Sequence, residues 1–141
     1  MTKAFVDSDV ILDVLLKREP FADPAGLIFA FAETRRLTLV TSTLSFMNVL
    51  YIAGGSTNQA TARNLARDLR RLIDLAPVAA EHVDAGLSSD LKDVEDYVQY
   101  AIAREIQADY LITRNITDYP REPSFVMTPP VFLSTLPQRP D

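Results

Sequence analysis

The chain has 141 residues, 48% hydrophobic and 23% charged, a balance that suits one globular domain able to bury a core without covalent staples. It has no cysteine and a single histidine, His82, so thiolate and multi-histidine metal sites are excluded; any metal must be held by oxygen, which favours Mg²⁺ or Mn²⁺. A net charge of −5 argues against a general nucleic-acid coat protein, but not against an enzyme whose site is itself acidic.

Met1–Val6 runs into a strand-like segment without the basic and long apolar regions of a secretory leader, and no stretch approaches the roughly 18 apolar residues of a membrane span. A soluble, cytoplasmic protein with no membrane partner is therefore expected. Lys3–Val6 reads as a first strand. Pro24–Arg35 follows Asp23, an expected N-cap, and reads as a helix. With Phe21 it carries Leu27, Ile28, Phe29 and Phe31 on more than one face, which fits either a partner surface or an internal helix. Thr38–Thr41 is a second strand. Leu44–Ala53 reads as a helix that Gly54-Gly55 should stop. Thr57–Arg71 spaces Ala62, Leu65, Ala66, Leu69 and Leu72 helically, and Leu72–Leu75 is either a further strand or a helix end. A helix is expected over Asp93–Gln107, then strands at Tyr110–Thr113 and Phe125–Met127. This alternation predicts an α/β fold with a central parallel β-sheet of four to five strands. Residues 1–137 should form one domain and 138–141 a tail.

Parallel α/β sheets place ligands beyond the carboxyl ends of their strands. The first strand ends in Asp7-Ser8-Asp9, and the Tyr110–Thr113 strand leads into Arg114-Asn115-Ile116-Thr117-Asp118. A helix starts at Asp93-Val94-Glu95-Asp96, with Asp93 and Asp96 on one face. If Asp7, Asp96 and Asp118 converge, three carboxylates share a pocket, an arrangement unfavourable unless a cation neutralises it. Each has a plainer reading: Asp7 and Asp93 as N-caps, Asp96 as a first-turn acid, Asp118 as a turn residue. Asp9 reads as a cap or supporting group, Asp13 as a surface residue, and Glu95 as pointing about 100° away from Asp96.

In these segments the chain resembles the PIN-domain family, most closely the toxin ribonucleases of the VapC kind. Phe5-Val6-Asp7-Ser8-Asp9 through Asp13 is similar to the first motif, Thr41–Tyr51 to the second, Asp93–Ala101 to the third, and Thr113–Tyr119 to the fourth, which usually ends in Asp-Phe. Val126-Met127-Thr128-Pro129 resembles the closing strand and turn. The resemblance implies a three-layer α/β/α fold and cleavage of single-stranded RNA with Mg²⁺ or Mn²⁺. It implies Asp7, Asp96 and Asp118 as catalytic metal ligands, with Thr113 and Asn115 orienting them and Asp9 and Asp93 in support. It also implies a homodimer and an antitoxin partner. One departure stands out: Asn48 occupies the place where most members have glutamate. An amide oxygen can ligate a hard cation, so Asn48 is a further candidate ligand, but it brings no charge.

For substrate phosphate, Arg114 is the candidate cation, since it sits at a strand end. Arg63, Arg67 and Arg70 or Arg71 form a helical stripe that also fits a solvated face paired with Asp68 and Asp74. Tyr51 and Tyr119 could stack on bases or simply pack. His82 is assigned no role. Two further readings compete with a ribonuclease: a PIN-like binding module whose catalysis ended with Asn48, and a phosphatase with an aspartate nucleophile. The latter needs a lysine at a late strand end, and Lys3, Lys17 and Lys92 are the only lysines.

Overall fold

A computed structural model describes residues 1–140. Within them, five strands form one parallel sheet in the order β3-β2-β1-β4-β5. The strands are β1 (Thr2–Val6), β2 (Leu37–Ser42), β3 (Ile73–Ala76), β4 (Tyr110–Ile112) and β5 (Val126–Met127). The helices are α1 (Ser8–Leu15), α2 (Ala22–Glu33), α3 (Thr43–Ser56), α4 (Gln59–Arg70), α5 (Ala80–Leu87), α6 (Val94–Glu105) and α7 (Pro129–Leu133).

Side chains alternate across a strand, so each strand feeds two cores. Ala4 and Val6 of β1 pack with α1, α2, Phe46 and Val49 of α3, Ala66 and Leu69 of α4, and Phe132 of α7. Phe5, between them, faces the opposite side with Val40, Leu111, Phe125 and the Val98, Ile102 and Ala103 stripe of α6. Helix α5 packs on α6, and His82 joins them: its Nδ1 accepts from the Ala79 N–H at 2.8 Å and its Nε2 lies 2.6 Å from Glu105 Oε2. The result is the expected α/β/α sandwich.

Two local expectations are corrected, and one open alternative is decided. Leu72–Leu75 resolves into β3, paired with β2 from Leu39↔Ile73 to Ser42↔Ala76. Helix α3 continues through Gly54 and Gly55 to Ser56, because its packing on α4 outweighs the glycines' weak helical preference. Helix α2 begins at Ala22, so Asp23 lies in its first turn rather than at its cap, and Ala25, Ile28, Phe29, Phe31 and Ala32 are buried. That helix is largely internal, with Leu27 and the preceding Phe21 partly exposed; the large exposed apolar side chains also include Leu44, Met47, Tyr51 and Ile52 of α3.

From β1 the chain builds outward through β2 to β3, then returns to add β4 on the other side of β1. The β1–β4 boundary is therefore the point where the winding reverses, and a crevice opens beyond it. No helix among the described residues is long and apolar enough to cross a membrane.

Candidate active site

Asp7 is the first residue beyond β1. Its backbone N–H donates to the Ile112 carbonyl at 2.9 Å, which ties the ends of β1 and β4 together. Its side chain caps α1: Oδ1 accepts from the Ser8 N–H at 2.6 Å. Oδ2 accepts from the Thr113 hydroxyl at 2.9 Å and the Tyr119 hydroxyl at 2.7 Å. Capping and a place in the site are thus compatible for one carboxylate. An ionised carboxylate has about four acceptor positions. The Ser8 N–H, the Thr113 and Tyr119 hydroxyls and, at a longer 3.4 Å, the Ser8 hydroxyl all reach it, so Asp7 is fixed in orientation.

Two residues on, Asp9 is half-buried. Its Oδ2 accepts from Asn115 Nδ2 at 3.3 Å, while its Oδ1 is buried without a partner. Burial and the neighbouring Asp7 charge push its pKa up to about 7. Asp13 is buried, against the sequence expectation of a surface residue. It pairs with Arg18 Nε at 2.9 Å and lies 3.2 Å from Arg114 Nε, the second contact being an ion pair without directed hydrogen-bond geometry. The Arg114 guanidinium stacks 4.0 Å from the centre of the Phe21 ring. A buried carboxylate must be paired, and Arg114 does that here while its side chain stays 27% exposed and its charge acts on Asp9.

At the start of α6, Asp93 caps the helix by accepting from the N–H groups of Glu95 at 2.8 Å and Asp96 at 3.3 Å. Asp96 shares a cleft of about 540 Å³ with Asp93, Lys92, Thr117 and Asp118. Its pKa is pushed up to about 7, first by burial and then by the charges of Asp93, Asp7, Asp118 and Glu95. Asp118 ends a short 3-10 turn, Ile116–Asp118, and is exposed. Asp7, Asp96 and Asp118 therefore sit around one crevice, where Asp96 feels the charges of the other two. They do not form a closed shell: among the described residues no three acidic or histidine side chains are arranged to hold a metal ion as they stand.

Two contributors went unrecognised in the sequence. Glu95 does reach the site: Asn48 Nδ2 donates to its Oε1 at 2.8 Å, and the Asp7 charge is among the causes, after burial, that raise its pKa. The 100° separation on a helical wheel ignores the length of a glutamate and a partner on α3. Tyr119 was weighed only as a stacking or packing ring. It is buried, and burial followed by the Asp7 charge raises its pKa well above the usual tyrosine value, so it remains a protonated donor to Asp7. Its adjacency to Asp118 in the fourth motif was the available signal.

The model of the PIN domain matches residues 3–117. The chain belongs to the PIN-domain family. Solved structures with the same fold include the PIN toxin VapC20 of Mycobacterium tuberculosis, described as cleaving the sarcin-ricin loop. It is 14% identical, with a TM-score of 0.63 over 77% of this chain and 86% of that one. A toxin–antitoxin complex from Klebsiella pneumoniae is 20% identical, with a TM-score of 0.65 over 89% of this chain and 97% of that one. VapBC2 of Rickettsia felis, bound to promoter DNA, is 12% identical, with a TM-score of 0.64 and the same coverage of 89% and 97%. No curated protein matches the chain significantly in sequence. The PIN fold here is thus the one that VapC toxins use.

Proposed function

We propose that this PIN domain is a divalent-cation-dependent endonuclease on single-stranded RNA, the toxin of a toxin–antitoxin pair acting in the cytoplasm. The observation that carries the reading is that Asp96, in the cleft beside Asp118, feels the charges of both Asp7 and Asp118. Family membership and the toxin folds it shares support it.

The donor set fits Mg²⁺ or Mn²⁺. It is all oxygen, and carboxyls that burial and like charge push towards neutrality are those a cation would relieve. The open arrangement also fits, since Mg²⁺ keeps several waters and takes one or two carboxylates plus substrate phosphate. Bound there, such an ion supplies Lewis acidity and a nucleophilic water at neutral pH. The protein supplies the rest. Asp7, Asp96 and Asp118 are the ligands and catalytic groups. Thr113 and Tyr119 hold the Asp7 carboxylate, Asn115 holds Asp9, and Asp93 presents the first turn of α6. Leu44, Met47, Tyr51 and Ile52 give α3 an exposed apolar face suited to a second copy of the chain, while an antitoxin is the expected inhibitor.

The test is cleavage of single-stranded RNA by purified protein with Mn²⁺. Asp7→Asn and Asp96→Asn should each reduce the rate by at least about a hundredfold with the fold intact. Full activity in both variants would sink the reading. The alternative, a catalytically weak PIN-like binding module, rests on the charge that Asn48 lacks; protein that neither binds Mn²⁺ nor cuts RNA would favour it.

A further inference from the structure

Asn48 stands on α3 and Glu95 in the first turn of α6, beside Asp96. The Asn48 amide donates to Glu95 Oε1 at 2.8 Å. One of its two N–H bonds is thereby engaged by a carboxylate. The contact ties the Glu95 carboxylate to α3, where the Asp7 charge also reaches it. Asp93 fixes the same turn by capping both the Glu95 and Asp96 N–H groups. A glutamate is also long enough to be steered, having one more methylene than Asp96 beside it.

We propose that Glu95 is an additional carboxylate of the cation site, contributing its charge at the ion or one water beyond it, and that Asn48 is the positioning residue that aims it. The proposal rests on the nuclease reading above. It replaces the expectation that Asn48 is itself a ligand with one in which the amide works through Glu95. A plain structural tie between α3 and α6 would show the same hydrogen bond, so the two must be separated by charge. Glu95→Gln does this. Glutamine keeps an oxygen to accept from Asn48 and keeps the length, and loses only the charge.

The experiment is calorimetric titration of Mn²⁺ alone into the full chain, with thermal unfolding as a check on folding. The variants are Asp7→Asn, Glu95→Gln, Asn48→Ala, and the double variant Asn48→Ala/Glu95→Gln. Glu95→Gln should bind Mn²⁺ roughly tenfold more weakly, as should Asn48→Ala to a lesser degree. In the Glu95→Gln background, Asn48→Ala should cost no further affinity, because the aimed charge is already gone. Wild-type affinity in Glu95→Gln, alongside loss of binding in Asp7→Asn, would overturn the proposal and leave the nuclease reading standing. No Mn²⁺ binding by the wild type would overturn both. Additive losses in the double variant would show that Asn48 acts on the ion independently, which also overturns the positioning role.

Discussion

Asp9 and Asp96 each have a pKa pushed up to about 7, against 3.8 for an ordinary aspartate. Between those values the folded chain binds more protons at these positions than the unfolded chain does. Stability from such groups is fully present below the unfolded value and is lost as pH rises through the folded one. The metal-free protein should therefore be less stable at about pH 8 than at about pH 5, to the extent that these groups dominate. Asp96→Asn removes one of the two contributors and should shrink that difference. Thermal unfolding of both proteins in the presence of chelator, across that window, is the measurement. An unchanged pH slope in Asp96→Asn would show that Asp96 does not carry it. The residue scale is also where sequence reading reached furthest and failed most clearly. Asp7, Asp96 and Asp118 could be named because strand ends and helix starts are visible in a pattern. Asp13 and Glu95 were misjudged because their roles depend on partners the pattern does not show: Arg18, five residues on, and Arg114 for Asp13, and Asn48 on α3 for Glu95.

Among the elements, β1, β2, β4 and β5 were legible as short branched or aromatic runs buried on both faces. Strand β3 was ambiguous because it is four residues long and Asp74 interrupts its apolar run on an edge strand. Helix α3 was cut short on paper because Gly54-Gly55 reads as a stop, a local preference that tertiary packing overrode. Glycines of the two kinds should respond oppositely to substitution. A Cβ on Gly86 of α5 would lie 2.9 Å from Val94 Cγ1 and 3.2 Å from the Val94 carbonyl of α6. Gly86→Ala should therefore force α5 off α6 and cost about 1–3 kcal/mol. Gly55 has nothing within 4 Å of the added atom and lies in the last turn of α3, so Gly55→Ala should stabilise modestly, by up to about 0.5 kcal/mol. Denaturant unfolding with unchanged slopes would read both. A stabilising Gly86→Ala would mean that the contact between α5 and α6 is looser than drawn. That contact matters to the site because α6 carries Asp93, Glu95 and Asp96 on its first turn and cap.

For the whole molecule, the question is how a chain of net charge −5 holds a polyanion. Of the cations near the crevice, Arg18 and Arg114 pair with buried Asp13, and Lys92, which lines the cleft beside Asp96, is a lone point charge among several carboxylates. The stripe on α4 lies elsewhere. Helix α4 packs on α3 and β3, and β3 is the sheet edge two strands from β1. There Arg67 donates to Asn64, and Arg70 to the Ile73 carbonyl; neither pairs with Asp68 or Asp74 as the sequence suggested. Without a divalent ion, little at the crevice attracts phosphate. In chelator, a labelled single-stranded RNA should bind weakly by fluorescence anisotropy. The logarithm of its affinity should fall with the logarithm of salt at a slope no steeper than about −1.4, the value for two phosphate contacts. A slope of about −3 or beyond would require more contacts than the crevice supplies. The α4 arginines would then be the track, and the RNA would cross the molecule from the β3 edge to reach Asp7.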